Sequence, residues 1–488
     1  MVIESLKYKI LQQFGFPPTQ EQGQALDTFV SFLTDRDPQA VMILRGSAGT
    51  GKTSLSGAIV RTLLQIRQKV MLLAPTGRAA KVFSLGSGAP AYTIHRRIYR
   101  EKAFAGVDGQ FSLNDNLYTD TLFMVDEASM IANMGLGGTT FGSGCLLDDL
   151  VKFVYQGHND RLLLIGDKAQ LPPVGEEESP ALSASVMEGY GLKVYECDLN
   201  EVLRQSQSSG ILYNATLIRQ MITHDAVTGL PLIRFKGFAD IVMMPGAELV
   251  ESLGDSYHHV GMDETMVITR SNKRANIYNN GIRNMVLDRE EELSSGDMLM
   301  IVKNNYFWTE KEKKESGEGS AGAVPAFLAN GDRAKVLRVS NYIELYGFRF
   351  ATLLLQFPDY DDYEMQVTGM LDTLQSEAPA LTHEQQEELF RQVEEDYQHF
   401  VPLKADRMKS IRQDAYFNAL QIKYAYAVTC HKAQGGQWAH VYVDQGYMTD
   451  DMLTPDYIHW LYTAFTRATD KLFLVNWPKE QTCEPTDL

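Results

Sequence analysis

The sequence predicts an α/β fold built on open, mostly parallel sheets, and three observations predict it. The apolar run "AVMIL" ends in the glycine-rich stretch "GSAGTGKT", which leads into "SLSGAIVRTLLQ", whose apolar spacing is typical of a helix. A second apolar run, "LFMV", ends at Asp126 and Glu127, and a third, "RLLLIGD", ends in a polar turn that carries Gln170. Ligands of open α/β sheets bind beyond the carboxyl ends of the strands, so we expect these turns to contribute to one site.

The size and composition of the chain predict several soluble domains. With 488 residues, 44% of them hydrophobic, two or more packed cores are expected. A secretory start and apolar runs of eighteen or more residues are both absent from the sequence, which predicts a cytoplasmic protein without a membrane partner. The four cysteines have no metal-ligand spacing, so we expect reduced thiols and no zinc site.

The charge is unevenly distributed along the chain. The formal net charge of −17 by itself argues against a nucleic-acid partner, because phosphate contacts need lysine and arginine. Residues 61–102, however, contain nine basic residues and one acidic residue, whereas residues 359–396 contain twelve acidic residues and one arginine. This pattern predicts a basic working surface and an acidic face turned away from it, with two ordinary solvated faces as the alternative.

The stretch "GSAGTGKT" has the residue types of a phosphate-binding loop. Its glycines let backbone N–H groups converge on phosphate oxygens at a helix N-terminus, while Lys52 adds charge and the Thr53 hydroxyl is a ligand for Mg²⁺. The candidate nucleotide-binding residues are Gly46, Ser47, Ala48, Gly49, Thr50, Gly51, Lys52 and Thr53. A chance glycine-rich turn is the alternative, and the flanking strand and helix argue against it.

The side chains that follow the next two strands complete the predicted chemistry. We expect Asp126 to hold Mg²⁺ through water and Glu127 to take a proton from the attacking water. Gln170 is expected to contact the γ-phosphate or that water. With Lys52, these residues predict hydrolysis or phosphoryl transfer.

Eight ordered motifs carry a family resemblance, and the resemblance covers about residues 19–469. They are "GSAGTGKT", "APTGRAAK", "TIHRRIY", "VDEASM", "GDKAQLPPVG", "LNEVLRQS", "VTCHKAQGGQW" and "YTAFTRAT". In this order they resemble the motifs of superfamily 1 helicases. "GDKAQLPPV" and "HKAQG" are similar to the RecD-like branch and differ from the Rep-like pattern.

The resemblance implies two RecA-like P-loop NTPase cores, a β-hairpin pin in the first core and a small SH3-like β-barrel inserted in the second. We expect the first core over residues 1–205, with the pin at 96–118. The second core is expected over residues 206–292 and 413–488, and the barrel and helical insertion over residues 293–412. Within the insertion, Thr382 and Gln385 have the spacing of a capping box at the start of an acidic helix.

Three further nucleotide contacts are implied by the resemblance. Arg204 in "LNEVLRQS" and Arg467 in "YTAFTRAT" match positions that reach the γ-phosphate, with a structural ion pair as the alternative for each. Gln22 resembles the glutamine that pairs with adenine N6 and N7, which predicts a preference for ATP.

The stretch "VTCHKAQGGQW" at residues 428–438 resembles a coupling loop between DNA and nucleotide. Gly435 and Gly436 permit close backbone approach, and Gly435 is counted among the nucleotide-binding residues. The hydroxyl and cationic groups of the matched motifs are suited to DNA phosphates. The expected DNA-binding residues are Pro75, Thr76, Arg78, Lys81, Thr93 and His95 of the first core and Thr429 and His431 of the second.

The pin is predicted from a turn signal. Asp108 and Gly109 form the dipeptide of a type I′ hairpin turn. Phe104 and Phe111 are candidates for base stacking or strand separation, and buried packing is the alternative.

The implied function is that of an ATP-dependent DNA helicase or translocase that moves 5′ to 3′ on single-stranded DNA. We expect a monomer that acts on single-stranded, forked or tailed duplex DNA, in replication, repair or recombination. The acidic segment is expected either to bind a protein partner or to repel stray DNA. A remodelling ATPase without unwinding would share the nucleotide site, and a nucleotide switch acting on protein would share only the phosphate loop.

Overall fold

The computed structural model describes residues 2–105, 108–135, 142–201, 208–223, 229–316, 325, 327–449 and 452–483. Within these residues the chain forms two parallel sheets, a closed barrel and a two-stranded hairpin. The predicted fold class is confirmed: there are two RecA-like α/β cores with a barrel insertion. No helix of the described part is long and apolar enough to cross a membrane.

The first core is a six-stranded parallel sheet in the order β3-β2-β6-β7-β1-β8. Its strands are β1 (Ala40–Gly46), β2 (Lys69–Ala74), β3 (Ala91–Thr93), β6 (Thr121–Val125), β7 (Arg161–Gly166) and β8 (Lys193–Leu199). Its helices are α1 (Val2–Phe14), α2 (Gln20–Leu33), α3 (Lys52–Gln65), α4 (Gly77–Ser87), α5 (Ile94–Ile98), α6 (Leu146–Gln156) and α7 (Ala184–Gly189). Every residue of β1, β6 and β7 is buried, since helices cover both faces of the sheet.

The hairpin is formed by β4 (Tyr99–Ala105) and β5 (Asp108–Leu113). The turn predicted at Asp108 and Gly109 is wrong, because these residues lie in β5 and pair with Ala105 and Phe104. The register is anchored at the base of the hairpin, where Tyr99 is buried and pairs with Leu113. The connecting residues 106–107 lie outside the described residues.

The second core is a five-stranded parallel sheet in the order β16-β10-β17-β18-β9. Its strands are β9 (Ile241–Met244), β10 (Thr265–Thr269), β16 (Ala427–Thr429), β17 (Trp438–Asp444) and β18 (Ala468–Val475). Its helices are α8 (Gly210–Thr223), α9 (Leu249–His259), α10 (Asn272–Gly281), α14 (Cys430–Ala433) and α15 (Pro455–Phe465).

The insertion between these parts of the second core is a closed five-stranded barrel. Its strands are β11 (Met298–Ile301), β12 (Arg333–Leu345), β13 (Phe348–Phe357), β14 (Tyr363–Met370) and β15 (Leu420–Tyr424), and its helices are α11 (Phe307–Ser316), α12 (His383–Gln398) and α13 (Lys404–Arg412). The barrel continues past residue 412, the predicted end of the insertion, because Leu299 pairs with Tyr424 and closes it. The capping box at the start of α12 is present as predicted.

Candidate functional site

The phosphate loop joins β1 to α3 and has the backbone shape that its glycines allow. Gly49 and Gly51 have φ angles of 78° and 77°, in the left-handed region where a Cβ is costly. Lys52 is the first residue of α3, and its Nζ donates a hydrogen bond to Gly46 O at 3.1 Å. The loop therefore places one ammonium group at a helix N-terminus, a position suited to phosphate.

Gln22 of α2 forms a hydrogen bond to the phosphate loop. Its side chain is fully buried, its Oε1 accepts from Thr19 N–H, and its Nε2 donates to Thr50 O at 2.9 Å. Each group of the amide retains one further hydrogen-bonding site, but the side chain has no exposed surface through which adenine would reach it. The described contact is thus with the loop, and the predicted adenine contact stays a prediction.

Four polar side chains follow the ends of β6 and β7, namely those of Asp126, Glu127, Asp167 and Gln170. Burial raises the pKa of Asp126 to about 6, the charge of Glu127 adds to this rise, and Lys52 opposes it. Burial also raises the pKa of Asp167, again opposed by Lys52. Glu127 has a left-handed φ of 52°, a strained conformation for a residue with a side chain, and such strain is concentrated at functional sites.

Two acceptors of this cluster are buried without a hydrogen-bond partner. They are Glu127 Oε2 and Gln170 Oε1. Leaving a buried acceptor unsatisfied costs about 1–3 kcal/mol, so both atoms fit a site that takes up water or another donor. Among the described residues no three His, Cys, Asp or Glu side chains are grouped as metal ligands. Thr53 and Asp126 nevertheless fit Mg²⁺, which is usually held by one or two protein groups together with phosphate oxygens and water.

The two predicted γ-phosphate arginines have different outcomes. Arg204 lies outside the described residues. Arg467 is 2% exposed, and its guanidinium donates to Thr463 O, Gly436 O and Thr466 Oγ1 within the second core. In this arrangement Arg467 holds the 430–438 loop through Gly436. Its guanidinium would have to give up these hydrogen bonds to contact a γ-phosphate.

The turn after β7 is held by the second core, which the sequence analysis missed. The contacts run from Tyr462 Oη to Asp167 Oδ2 (2.6 Å), from Leu171 N–H to Thr463 Oγ1 (2.8 Å), from Gln434 Nε2 to Leu171 O (2.7 Å) and between His459 Nδ1 and Ala169 O (2.9 Å). Gln170 lies in the middle of this turn. Arg219 of α8 was also missed, and it donates to Ser47 Oγ of the phosphate loop.

The two glycines of "VTCHKAQGGQW" have separate structural reasons. Gly435 has a φ of 73°, and a Cβ there would lie 3.1 Å from Thr76 Oγ1 of the first core. A Cβ on Gly436 would lie 2.4 Å from the ring of Trp438. Gly435 therefore lets the loop pack against the start of α4, and Gly436 leaves room for the Trp438 ring within the loop.

Arg78 and Lys81 form contacts between domains. The Arg78 guanidinium donates to Gln437 O at 2.6 Å and lies 4.6 Å from the ring centre of Trp438. Lys81 Nζ donates to Pro358 O in the insertion and lies 4.0 Å from Asp359. In the structure both side chains hold α4 against the second core and the barrel, and their phosphate contacts stay predictions.

Most of the other predicted DNA-binding residues meet in one cavity of about 280 Å³. It is lined by Pro75, Thr76, Thr93 and His95 of the first core, His431, Lys432 and Gln434 of the second core, and Asn304, Phe327 and Asn330 of the insertion. The Thr76 and Thr93 hydroxyls cap α4 and α5 by accepting one N–H each, so each keeps its own hydrogen for donation. Thr429 is the residue before α14 and does not line this cavity.

A larger cavity of about 1070 Å³ continues from the first and shares His95, Asn304 and Asn330 with it. It lies between the hairpin and the insertion. Phe111 lines it, and its ring centre is 4.5 Å from that of Tyr306, which stacks on Phe327 at 4.7 Å. The side chain of Phe104 lies outside the described residues.

Comparison with known proteins gives matches at both cores. Residues 19–229 match the family model of an AAA domain, and residues 424–475 match that of a UvrD-like helicase C-terminal domain. The ATP-dependent RecD2 DNA helicase of Deinococcus radiodurans is 30% identical over 32% of this chain and 18% of its own length. The ATP-dependent DNA helicase dda of Enterobacteria phage T4 is 25% identical over 53% of this chain and 55% of its own length.

The chain resembles the superfamily 1 helicases. It spans less than two thirds of the length of both relatives named above. A solved structure of a Bacteroides Pif1 helicase in complex with ADP-AlF3 and single-stranded DNA covers 96% of this chain and 95% of that chain, at 13% identity and a TM-score of 0.46.

Two of the missed residues had a signal in the quoted motifs. Tyr462 is the first residue of "YTAFTRAT", and Gln434 lies within "HKAQG". Both lie in segments whose apolar neighbours pack in the second core, so pattern alone assigned them no contact with the first core. Their polar side-chain atoms nevertheless bond to the first core, Gln434 to Leu171 and Tyr462 to Asp167.

Proposed function

We propose that the protein is an ATP-dependent DNA helicase or translocase that moves 5′ to 3′ along single-stranded DNA. One observation carries the proposal. The 430–438 loop contributes His431, Lys432 and Gln434 to the 280 Å³ cavity, and Gln434 also donates to Leu171 in the turn that holds Gln170. A single short loop thus contacts both the candidate DNA cavity and the candidate nucleotide site.

At the nucleotide site, the chain's own groups divide the work of ATP hydrolysis. The loop N–H groups and Lys52 would bind the phosphates, and Thr53 and Asp126 would hold Mg²⁺. When bound, the metal supplies charge neutralisation at the phosphate oxygens. Glu127, whose Oε2 has no other hydrogen-bond partner, would accept a proton from the attacking water, and Gln170 would orient that water.

At the DNA cavity, the two cores would alternate their grip on phosphates as the cleft between them closes and opens. Thr76, Thr93 and His95 would act for the first core, and His431 and Lys432 for the second. Burial lowers the pKa of His95 to about 4, so this ring is neutral at physiological pH and contributes hydrogen bonding without charge.

The first test is the rate of ATP hydrolysis with and without oligo-dT. A translocase is strongly stimulated by single-stranded DNA, whereas a nucleotide switch that acts on protein is not. Partial duplexes with a 5′ or a 3′ tail then separate unwinding from remodelling. We expect only the 5′-tailed duplex to be opened; opening of the 3′-tailed duplex alone would contradict the direction, and opening of neither would favour the remodelling ATPase.

Lys432 gives a pH-dependent prediction. Burial and the charge of Lys423 lower the pKa of Lys432 to about 8, so its positive charge is lost as the pH rises through 8 rather than through the usual value near 10.5. Affinity for oligo-dT should be level from pH 6 to 7 and fall by about tenfold by pH 9, since a hydrogen bond to a charged group is lost. Fluorescence anisotropy at constant salt measures this.

Lys432→Arg is the matched variant, because arginine stays charged throughout this range. It should bind more tightly than the wild type at pH 9 and flatten the profile. The pKa of Lys423 is also lowered to about 8 by burial, so a shallow residual slope belongs to that residue. A profile that Lys432→Arg leaves unchanged would remove Lys432 from the DNA site.

Gly435 gives a prediction on coupling. Gly435→Ala adds a Cβ that crowds Thr76 and Ala79 and strains a left-handed backbone, which alone costs about 1–2 kcal/mol. Gly446→Ala is the control, because Gly446 has a φ of 69° but nothing within 4 Å of its Cβ position. Both variants should lower the melting temperature by a similar amount, but only Gly435→Ala should reduce stimulation of ATPase by oligo-dT. Equal stimulation in the two variants would show that the close approach is unimportant.

A further inference from the structure

Tyr462 connects α15 to the phosphate loop and to the turn that carries Gln170. The side chain comes from α15 in the second core and is 1% exposed. Its Oη donates to Asp167 Oδ2 at 2.6 Å and accepts from Ala48 N–H of the phosphate loop at 3.0 Å. Because a tyrosine hydroxyl has a single hydrogen, donation to Asp167 leaves only its lone pairs for Ala48, and the two bonds have defined directions.

Burial raises the pKa of Tyr462 well above its usual value, and the neighbouring Asp167 adds to this rise. The hydroxyl is therefore protonated at every physiological pH. It remains a neutral group whose one hydrogen is committed to Asp167.

The bond to Ala48 is the informative one. Ala48 lies within the "GSAGTGKT" loop, the kind of loop whose N–H groups bind phosphate oxygens. A backbone N–H has one hydrogen, so it serves either the Tyr462 hydroxyl or a phosphate oxygen well, but not both. A phosphate oxygen that takes up this N–H must replace a second-core side chain.

The other end of the tyrosine reaches the turn that carries Gln170. That turn is held by Tyr462 and by its neighbour Thr463, whose Oγ1 accepts from Leu171 N–H. Release of the hydroxyl from Ala48 would leave it bonded only to Asp167. The position of α15 would then be set by the Gln170 turn and no longer by the phosphate loop.

We propose that Tyr462 is a positioning residue that exchanges with a nucleotide phosphate at the Ala48 N–H and thereby couples occupancy of the phosphate loop to the Gln170 turn. This inference rests on the proposed function, because it concerns the same nucleotide site. A merely structural tyrosine would stabilise the second core without distinguishing nucleotide binding from turnover.

The test is Tyr462→Phe, which removes the hydroxyl and keeps the ring. Binding of a non-hydrolysable ATP analogue, measured by calorimetry without DNA, should become about 2–10-fold tighter, since the competing hydrogen bond is gone. The oligo-dT-stimulated kcat should fall by about tenfold, because the Gln170 turn loses the one of its links to α15 that also reaches the phosphate loop. Opposite changes in affinity and kcat are the signature of exchange; weaker analogue binding, or an unchanged kcat, would overturn the proposal.

Tyr457→Phe is the control on the same helix. Tyr457 is also buried, and its Oη donates to Gln445 at 2.5 Å without contact to the phosphate loop. This variant should show analogue affinity and kcat like the wild type even if its melting temperature falls. If it reproduces the Tyr462→Phe result, the effect belongs to the packing of α15 and the exchange is refuted.

Thr463→Val separates the two ends of the link. It removes the acceptor for Leu171 N–H but makes no contact with the phosphate loop, so kcat should fall without tighter analogue binding. Tighter binding in this variant would contradict exchange at Ala48. Failure of the wild type to bind the analogue would instead refute the proposed ATPase function, so the two failures are distinguishable.

Discussion

Lys52→Ala is expected to abolish ATP turnover while single-stranded DNA binding largely survives. The ammonium group lies at the start of α3, and its charge opposes the pKa rise of both Asp126 and Asp167. Its removal takes a donor from the phosphates and leaves the nearby carboxylates without their counter-charge. Loss of a single stabilising donor costs about 10²–10³ in rate, and we expect at least that loss here.

DNA binding should be spared because the cavity lined by Thr76, Thr93 and His431 does not include Lys52. Phosphate release measures turnover, and anisotropy of labelled oligo-dT measures binding. Lys152→Ala is the control: Lys152 is an exposed lysine of α6 paired with Asp148, and both activities should be retained. Equal loss of turnover and DNA binding in Lys52→Ala would contradict the separation of the two sites.

Features of the site that depend on local pattern were predictable from sequence. The phosphate loop, the carboxylates after β6 and the capping box of α12 each lie within a few residues of the strand or helix that positions them. Apolar runs fix such strands and the residues at their ends, whatever the rest of the chain does. Thr76 and Thr93 are the N-cap residues of α4 and α5.

Features that depend on long-range contact were not predictable. Arg78 donates to Gln437, 359 positions away, a contact that its motif did not indicate. Gln434 reaches Leu171 across 263 positions, and Tyr462 reaches Ala48 across 414. A basic or polar residue in a motif has several chemically reasonable partners, and only the packing of the two cores selects among them.

The predicted position of the hairpin turn was wrong for a related reason. Asp108 and Gly109 are a strong local signal, but strand register follows the buried residues at the base of the hairpin. Tyr99 is buried and donates to Asp149 at 2.8 Å, which fixes the first strand against α6. A buried anchor of this kind outweighs the turn preference of a dipeptide.

A shortened hairpin is expected to lose duplex unwinding while keeping DNA-stimulated ATPase. The structure suggests the design, in which an Asn-Gly turn joins residues 99–101 to residues 111–113. This design keeps the pairing of Tyr99 with Leu113 and of Glu101 with Phe111. The larger cavity lies between the hairpin and the insertion, so a strand leaving the smaller cavity past His95 would meet this hairpin. Without its tip, translocation should continue but the second strand would not be displaced.

Phe111→Ala tests the hairpin's contact with the insertion separately. Its ring lies 4.5 Å from Tyr306, and base stacking on such a ring is worth about 1–3 kcal/mol, so unwinding should fall by about tenfold. Leu117→Ala is the control, because Leu117 is 89% exposed and lies just beyond the hairpin. This variant should unwind the duplex at the wild-type rate. The assay uses a 5′-tailed duplex with ATPase measured in parallel. If the shortened hairpin unwinds at the wild-type rate, its tip does not separate strands. If Phe111→Ala unwinds at the wild-type rate, Phe111 has a packing role only.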